Sequence, residues 1–437
     1  MVNSDGMMGR RQLITGGAAA LAGTVVLVAC GSDDEPSSAA VPGAKRNVTI
    51  KVLTADGSMV KFMNDIAPSF AAMHPELQIY FDIPADQPAE VRQRLLDSLA
   101  AGSKIADTSD LDSEDTWVMA LASGLDTAGF YNMTPQATPY LADSIGALQE
   151  GTYKGRIVGI PGRLSATCYY YRDDIFDNDF ETWDDFIAIG EKVKQSTGSH
   201  IMIIEDSTSR HFNYMMPHAG GNVFDKEGKV NLDHPNNLEA LETLLRLKTS
   251  GVAWCTSEFY GAGTWEAYRD ETLIGAYMPS WYGDLLLPPN IPEQKGKWMM
   301  SAPPKFSAGH TGARGGAPVY PVVDGPNADV VFDFLAYALL STENNVKRFV
   351  DYAVPPMNFD AYKNPAVADA VHPFFERKVA GVFQEITKDF VGVNTHPLLI
   401  DAYNLLNVTV PAVLAGEKQP KAALKETADE LRAIAGE

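Results

Sequence analysis

From Val48 to the C-terminus short apolar strands alternate with amphipathic helices, and that alternation restricts the chain to α/β layers. Val48–Leu53 reads as a first strand. Met59–His74 carries Phe62, Ile66, Phe70 and Met73 at helical spacing, and Leu77–Ile83 alternates as a second strand. Val91–Ala101 is helical again, with Leu95, Leu96 and Leu99 on one face; Thr116–Gly124 is a short helix ended by glycine. Tyr153–Pro161 predicts a hairpin around Lys154 and Gly155, and Thr167–Tyr171 a buried strand. Thr182 can cap the amide of Asp185, which leaves Trp183 to packing. Ala422–Ala435 forms a closing amphipathic helix. The central sheets are expected to be largely parallel. At 437 residues the chain exceeds the roughly 250–300 residues at which single cores stop growing, so two lobes are expected.

The N-terminus reads as an export signal. Arg10 and Arg11 precede an uncharged run from Gly16 to Ala29, which is shorter than the roughly 20 residues a membrane span needs. Leu27-Val28-Ala29-Cys30 resembles the lipobox of bacterial lipoproteins, which implies cleavage after residue 29 and a lipid on Cys30. The paired arginines resemble the twin-arginine signal for proteins exported folded. Residues 30–45, rich in Gly, Ser, Ala, Pro and acids, read as a solvated tether.

Charge and cysteine content narrow the partners. The formal net charge is −21; loss of a leader holding Asp5, Arg10 and Arg11 takes it to −22. Such an acidic surface argues against nucleic acid and against broad adhesion to anionic lipid. Of three cysteines Cys30 is reserved for lipid. Cys168 and Cys255 could pair outside the cell, but free buried thiols are favoured if folding precedes export. Residues 107–115 are acidic yet lack the central glycine and distal glutamate of an EF-hand loop. No metal and no cofactor is expected.

Several segments, in order, resemble one family. Phe70-Ala-Ala-Met-His-Pro-Glu-Leu-Gln-Ile resembles its F-x-x-x-x-P-x-I helix-to-strand join, and Ala100-Ala-Gly-Ser-Lys-Ile-Ala-Asp107 the loop before a later strand. Ala166-Thr-Cys-Tyr-Tyr-Tyr-Arg-Asp-Asp-Ile-Phe176 resembles L-Y-Y-N-K-D-L-F, and Thr182-Trp-Asp-Asp-Phe186 resembles T-W-D-E-L. Gly220-Gly-Asn-Val-Phe-Asp225, Leu273-Ile-Gly-Ala-Tyr-Met-Pro-Ser-Trp281, Gly315-Gly316, Ser341-Thr-Glu-Asn344 and Val354-Pro-Pro356 complete the set. Over residues 46–437 the chain is similar to the extracellular solute-binding proteins of carbohydrate importers, the family of maltose-binding protein.

That resemblance implies a two-lobed α/β fold of the type II periplasmic-binding-protein kind, with central sheets flanked by helices. It implies a first lobe of 46–160 plus 305–354 and a second of 161–304 plus 355–437. Hinge crossings are expected near Ile160–Leu164, Pro303–Phe306 and Ala353–Met357. A monomer that captures sugar by lobe closure and hands it to ABC permease subunits is the implied activity; no enzymatic activity is expected.

Candidate ligand residues lie where strands end. Asp56 and Gly57 follow the first strand, as acceptor and as a point of close backbone approach; a helix cap explains them equally well. The resemblance favours Asp112 and Asp115 as polar contacts, and the helix dipole would favour the same acids. Arg163, Ser165 and Ala166 follow the first crossing. The Ser207–Tyr214 loop offers Arg210, Asn213 and Tyr214, with Arg210 standing where the family places an aromatic ring. His211 reads as a surface histidine. Trp281, followed by Tyr282, occupies the position at which the family stacks an indole on ligand, and a flat ring suits the C–H face of a sugar. Arg314, Gly316 and Tyr403 complete the set. Trp254, Trp265 and Trp298 are assigned to packing.

Three alternatives stand beside a sugar carrier. A hydrolase would need a nucleophile elbow or a His-Glu-x-x-His helix, and neither occurs, although Asp112 and Asp115 could form a glycosidase pair. A carrier of polyamine, peptide or anion could use the acids, or Arg163, Arg210 and Arg314. An adhesin or signalling ectodomain could use the same fold.

Overall fold

The computed structural model describes residues 45–437 except 55, 85–90, 113–128, 145–147, 149, 150, 154 and 314–317. The leader, the tether, Cys30 and the expected Thr116–Gly124 helix lie outside the described residues. Among those described, no helix is long and apolar enough to cross a membrane.

The first sheet grows from β1 (Arg46–Leu53), whose Val48, Ile50 and Val52 are fully buried at alternate positions. β2 (Leu77–Asp82) and β3 (Thr108–Ser109) pair parallel on either side of it, with Arg46 opposite Leu77 and Val52 opposite Thr108. β14 (Pro318–Pro321) runs antiparallel between β4 (Leu111–Asp112) and β7 (Gly159–Pro161), and a bridge from Thr108 to Val322 joins the two groups. The helix Gly57–Met73 covers this sheet with Phe62, Met63, Ile66 and Phe70. Phe70 meets Phe334 of the helix Ala328–Leu339 edge-on at 5.2 Å. The short hairpin of β5 (Thr152–Tyr153) and β6 (Arg156–Ile157) forms as expected.

The second sheet centres on β8 (Thr167–Arg172), six residues buried on both faces. β11 (Gly275–Pro279) and β12 (Trp298–Ser301) flank it, both antiparallel. β9 (Met202–Glu205) pairs parallel with β10 (Ala253–Thr256), and a parallel bridge from His200 to Leu273 attaches β9 to β11. The order is therefore β10-β9-β11-β8-β12. The expectation of largely parallel sheets fails here. β8 arrives from the other lobe, not from a helix on its own sheet, so no right-handed crossover sets its direction. Gly275 is required: a Cβ there would lie 2.2 Å from the carbonyl oxygen of Ile201, which also accepts a hydrogen bond from Tyr169 at 2.8 Å.

The lobe boundaries differ from the expected ones at two crossings. Residues 305–313 stay with the second lobe: Lys305 donates its amide to Glu181, Ser307 binds Glu239, and β13 (Gly312–Ala313) pairs with β15 (Phe390–Val391). The chain is back in the first sheet at Pro318. Past Met357, Asn358 bridges Ser144 and the Phe359 amide reaches Asp143 at 2.9 Å, so this segment remains with the first lobe. Local pairing of polar backbone decides both points, and lobe assignment by segment order could not register it.

The Trp183–Thr197 helix starts with a reciprocal cap. Thr182 accepts from the Asp185 amide at 3.2 Å, and Asp185 accepts from the Thr182 amide at 3.0 Å. Trp183, 3% exposed, packs against Phe186, Tyr277 and Phe306. Trp265 and Trp298 are core residues and Trp254 is half-buried. Cys168 in β8 and Cys255 in β10 are free thiols. Burial pushes both away from ionisation, Cys255 to about 11. Thr182→Ala removes one half of the cap and is expected to cost about 1 kcal/mol, read as a lower guanidinium midpoint at unchanged m-value.

Candidate ligand cleft

β9, β10 and β11 point the same way, so their C-terminal ends share one edge of the second sheet, and the start of antiparallel β8 joins them. Ligands of open α/β sheets bind at such an edge. Four loops meet there: before β8, after β9, after β10 and after β11.

The loop after β9 leads into the helix Arg210–His218. Arg210 is clamped. Its Nε donates to Glu205 at the end of β9 and its Nη1 to the Tyr260 hydroxyl at 3.0 Å. Its guanidinium carbon lies 5.2 Å from the Phe259 ring centre and 5.0 Å from that of Tyr260. Burial opposes the charge, but the neighbouring tyrosines and Glu205 more than offset it and raise the arginine pKa. The guanidinium is thus carried on an aromatic pair. Tyr260 and Phe259 were not singled out in the sequence; their signal was the strand-end position after β10, as for Trp281 after β11.

His211 is 1% exposed, not a surface residue. Its Nδ1 accepts from the Glu205 amide at 3.2 Å and so fastens helix to strand. Burial, reinforced by the Arg210 charge, brings its pKa down to about 3. Asn213 is half-buried, donating to the Ser209 hydroxyl at 3.0 Å, and its Oδ1 has no partner among the described residues. Ser209 in turn donates amide and hydroxyl to Asn407 Oδ1 at 2.9 and 2.8 Å. Asn407 is one helical turn after Tyr403 in Leu399–Leu414, so the helix bearing Tyr403 docks at the start of the Arg210 helix. Tyr403 itself is 7% exposed.

Trp281 follows β11 and is half-buried, edge-on to Tyr282 at 6.2 Å between ring centres. Its neighbour Ser280 locks the loop before β8: the hydroxyl donates to the Leu164 carbonyl and the amide to that of Ala166, both at 2.8 Å. Ser165 lies in that loop, fully buried, with a hydroxyl that has no partner among the described residues. Tyr282, grouped with Trp281 in the sequence, points elsewhere. It is fully buried, donates to the Tyr268 hydroxyl at 3.0 Å and packs on Trp265, which makes it a core residue in this structure.

On the first lobe, Asp56 acts as the helix cap that the Thr-Ala-Asp-Gly-Ser turn allowed. One carboxylate oxygen accepts from the amides of Ser58 and Met59, and the other from Arg163 Nη2 at 2.6 Å. Burial alone would raise its pKa, but Arg163 and the cap bonds bring it below the usual value. A Cβ on Gly57 would meet nothing within 4 Å, so no close backbone approach requires glycine there. Asp112 places its backbone opposite Pro318. Asp115, Arg314 and Gly316 lie outside the described residues.

Among the described residues no group of three or more His, Cys, Asp or Glu side chains is placed to hold a metal. What the strand-end edge offers is aromatic surface beside fixed polar groups, the makeup of a small-solute site. Two α/β lobes with such an edge define a solute-binding protein. The chain belongs to the bacterial extracellular solute-binding protein family, whose profile matches residues 67–376. It is similar to the arabinooligosaccharide-binding protein of Bacillus subtilis, at 23% identity over 93% of this chain and 96% of that protein. It is also similar to the arabinooligosaccharide-binding protein of Halalkalibacterium halodurans, at 25% identity; there the match spans 55% of this chain and only 57% of that protein's length. Among solved structures, the sugar-binding protein MalE of Xanthomonas citri shares the fold with a TM-score of 0.73 at 15% identity, over 88% of this chain and 97% of that one.

A neutral buried histidine has a definite pH signature. The folded pKa of His211, about 3, lies below the unfolded value near 6.5, so between these values the unfolded chain binds the extra proton. Stability is expected to fall by about 2 kcal/mol on acidification from pH 7 to 5 through this group alone. In His211→Gln, urea unfolding at the two pH values should show a correspondingly flatter dependence.

Proposed function

We propose that the protein captures a neutral carbohydrate in the cleft between its lobes and delivers it, chemically unchanged, to the membrane subunits of an ABC importer. The observation that supports this reading is the strand-end edge, because the loops that carry Arg210, Asn213, Tyr260 and Trp281 all follow the C-terminal ends of the parallel strands β9, β10 and β11. Sugars present apolar C–H faces and a rim of hydroxyls, which such a mixture matches. Among the described residues the charges favour a neutral solute over an anion: Arg163 is paired with Asp56 and Arg210 with Glu205, so neither presents an uncompensated cation. The binding of arabino-oligosaccharides and sugars by relatives points the same way. Ligand contacts on both lobes would stabilise a closed state over an open one. In this reading the protein works as a monomer outside the membrane, tethered through lipid on Cys30.

Calorimetric titration with arabino-oligosaccharides, lactose and maltose, against spermidine and citrate, tests the ligand class. A sugar should bind, and at a hundredfold excess over its dissociation constant should stabilise the fold by about 2.7 kcal/mol. Trp281→Ala should weaken that sugar by about thirtyfold, the roughly 2 kcal/mol typical of an aromatic anchor. Binding of charged solutes alone would overturn the carbohydrate reading and leave the fold untouched. The anchor has its own check: Cys30→Ser should move the protein from the membrane fraction to the soluble one in the native host.

A further inference from the structure

A groove of about 260 Å³ lies on a different part of the molecule, between the Tyr352–Ala353 corner and the turn that carries Asp284. Its walls are Pro288, Pro292, Tyr352 and Phe374, with Lys295 at the rim and Asp284 and His372 within. Residues Tyr282–Leu286 form a single π turn, a geometry that recurs at functional sites.

The side chains of Asp284 and His372 are 8% and 3% exposed, and His372 Nε2 lies 3.2 Å from Asp284 Oδ1. His372 Nδ1 accepts from the amides of Phe374 and Phe375, each at 3.3 Å. Those two donors place the ring N–H on Nε2, facing Asp284. Asp284 Oδ1 is thereby satisfied. Oδ2 is buried with no partner among the described residues, and a carboxylate oxygen left so costs free energy. Lys295 does not neutralise it, because its ammonium pairs with Glu376 at 3.2 Å. The groove therefore holds a carboxylate oxygen that has no partner among the described residues, beneath proline and aromatic carbon.

We propose that this groove binds a small organic ammonium ion, its N–H donors on the Asp284 carboxylate and its hydrocarbon body against Pro288, Pro292 and Phe374. Tyr352 belongs to the first lobe, held by its hydroxyl on Asp65, whereas Asp284 and Phe374 belong to the second, where Phe374 accepts from the Gly296 amide at 2.9 Å. Between the two walls Ala353 adopts the left-handed conformation, φ 58°, uncommon for a residue with a Cβ. The occupant touches both sides of this corner, so its affinity depends on the angle between the lobes, and any cleft ligand that changes that angle is coupled to it reciprocally. The proposal does not depend on the cleft ligand being a sugar.

The probe is phenethylammonium, with 2-phenylethanol as its neutral match, titrated into the full-length protein and followed by calorimetry without sugar present. Saturable one-site binding below about 10 mM is expected, with the alcohol at least about tenfold weaker. Asp284→Asn keeps an acceptor for His372 but removes the charge, and should weaken the amine at least about tenfold. Lys295→Met alters an exposed rim position, removes a competing cation and should tighten binding by about threefold; it keeps the test open if Asp284→Asn fails to fold. Trp281→Ala should leave amine binding unchanged. No saturation, equal binding of amine and alcohol, or loss of amine binding in Trp281→Ala would each overturn the proposal, the last by placing the amine at the strand-end edge.

Discussion

The contact between Arg163 and Asp56 joins three things that must agree: the end of the first sheet, the start of its main helix and the crossing to the second lobe. Arg163 is 4% exposed and meets the carboxylate at 2.6 Å. The same carboxylate caps the Gly57–Met73 helix, so the crossing is registered against a helix terminus and not against flexible loop. Arg348 completes the arrangement. Its Nη2 donates to the Gly162 carbonyl and its guanidinium sits 5.3 Å from the Phe62 ring centre. Burial, then the nearby Arg163, push the Arg348 pKa down to about 10. Two buried arginines at one crossing are tolerable because each has an acceptor. Removing Asp56 alone would leave a buried cation uncompensated, at a cost of about 3–5 kcal/mol.

A second constraint follows from strand direction. With β9, β10 and β11 parallel and β8 antiparallel, four loops far apart in sequence open on one edge. Glu205 ends β9, and Tyr260, Trp281 and Ser165 come from the other three loops. The polar groups among them are held by one another before any ligand arrives: Glu205 and Tyr260 hold Arg210, Asn407 holds Ser209, and Ser280 holds the loop of Ser165. Side chains fixed in advance lose less entropy on binding, which is where preorganised sites gain affinity. Arg163 and Arg210 are each paired with a carboxylate, Asp56 and Glu205.

Much of this was legible from the residues, for identifiable reasons. Period-2 burial in β1, the Thr182–Asp185 cap and the closing helix follow from local rules, and each formed. The strand-end position of Trp281 was legible because it follows the apolar run that forms β11. Its neighbour Tyr282 was not separable from it. Adjacent residues share every local signal, and only the packing of Trp265 and Tyr268 draws one ring into the core. His211 was misread as a surface residue because its partner is a backbone amide of β9, which no side-chain pattern records. Residues 305–313 and 358–359 were assigned to the wrong lobes, since their attachments are backbone bonds to distant segments. Tyr260 and Asn407 escaped notice because their importance comes from Arg210 and Ser209, remote in sequence.

By itself the sequence determined the α/β class, the need for two lobes and the strand ends at which a ligand could be met. These rest on periodicity, length and local capping, which act over a few residues. Tertiary structure alone decided the antiparallel setting of β8, the pairing of Arg163 with Asp56 and of Arg210 with Glu205, and the burial of Tyr282 and His211. It also decided the meeting of Asp284 with His372 at the corner. Each of these depends on which distant groups share a low-dielectric space, where an unmatched charge or unbonded polar atom is most costly. No local pattern carries that information.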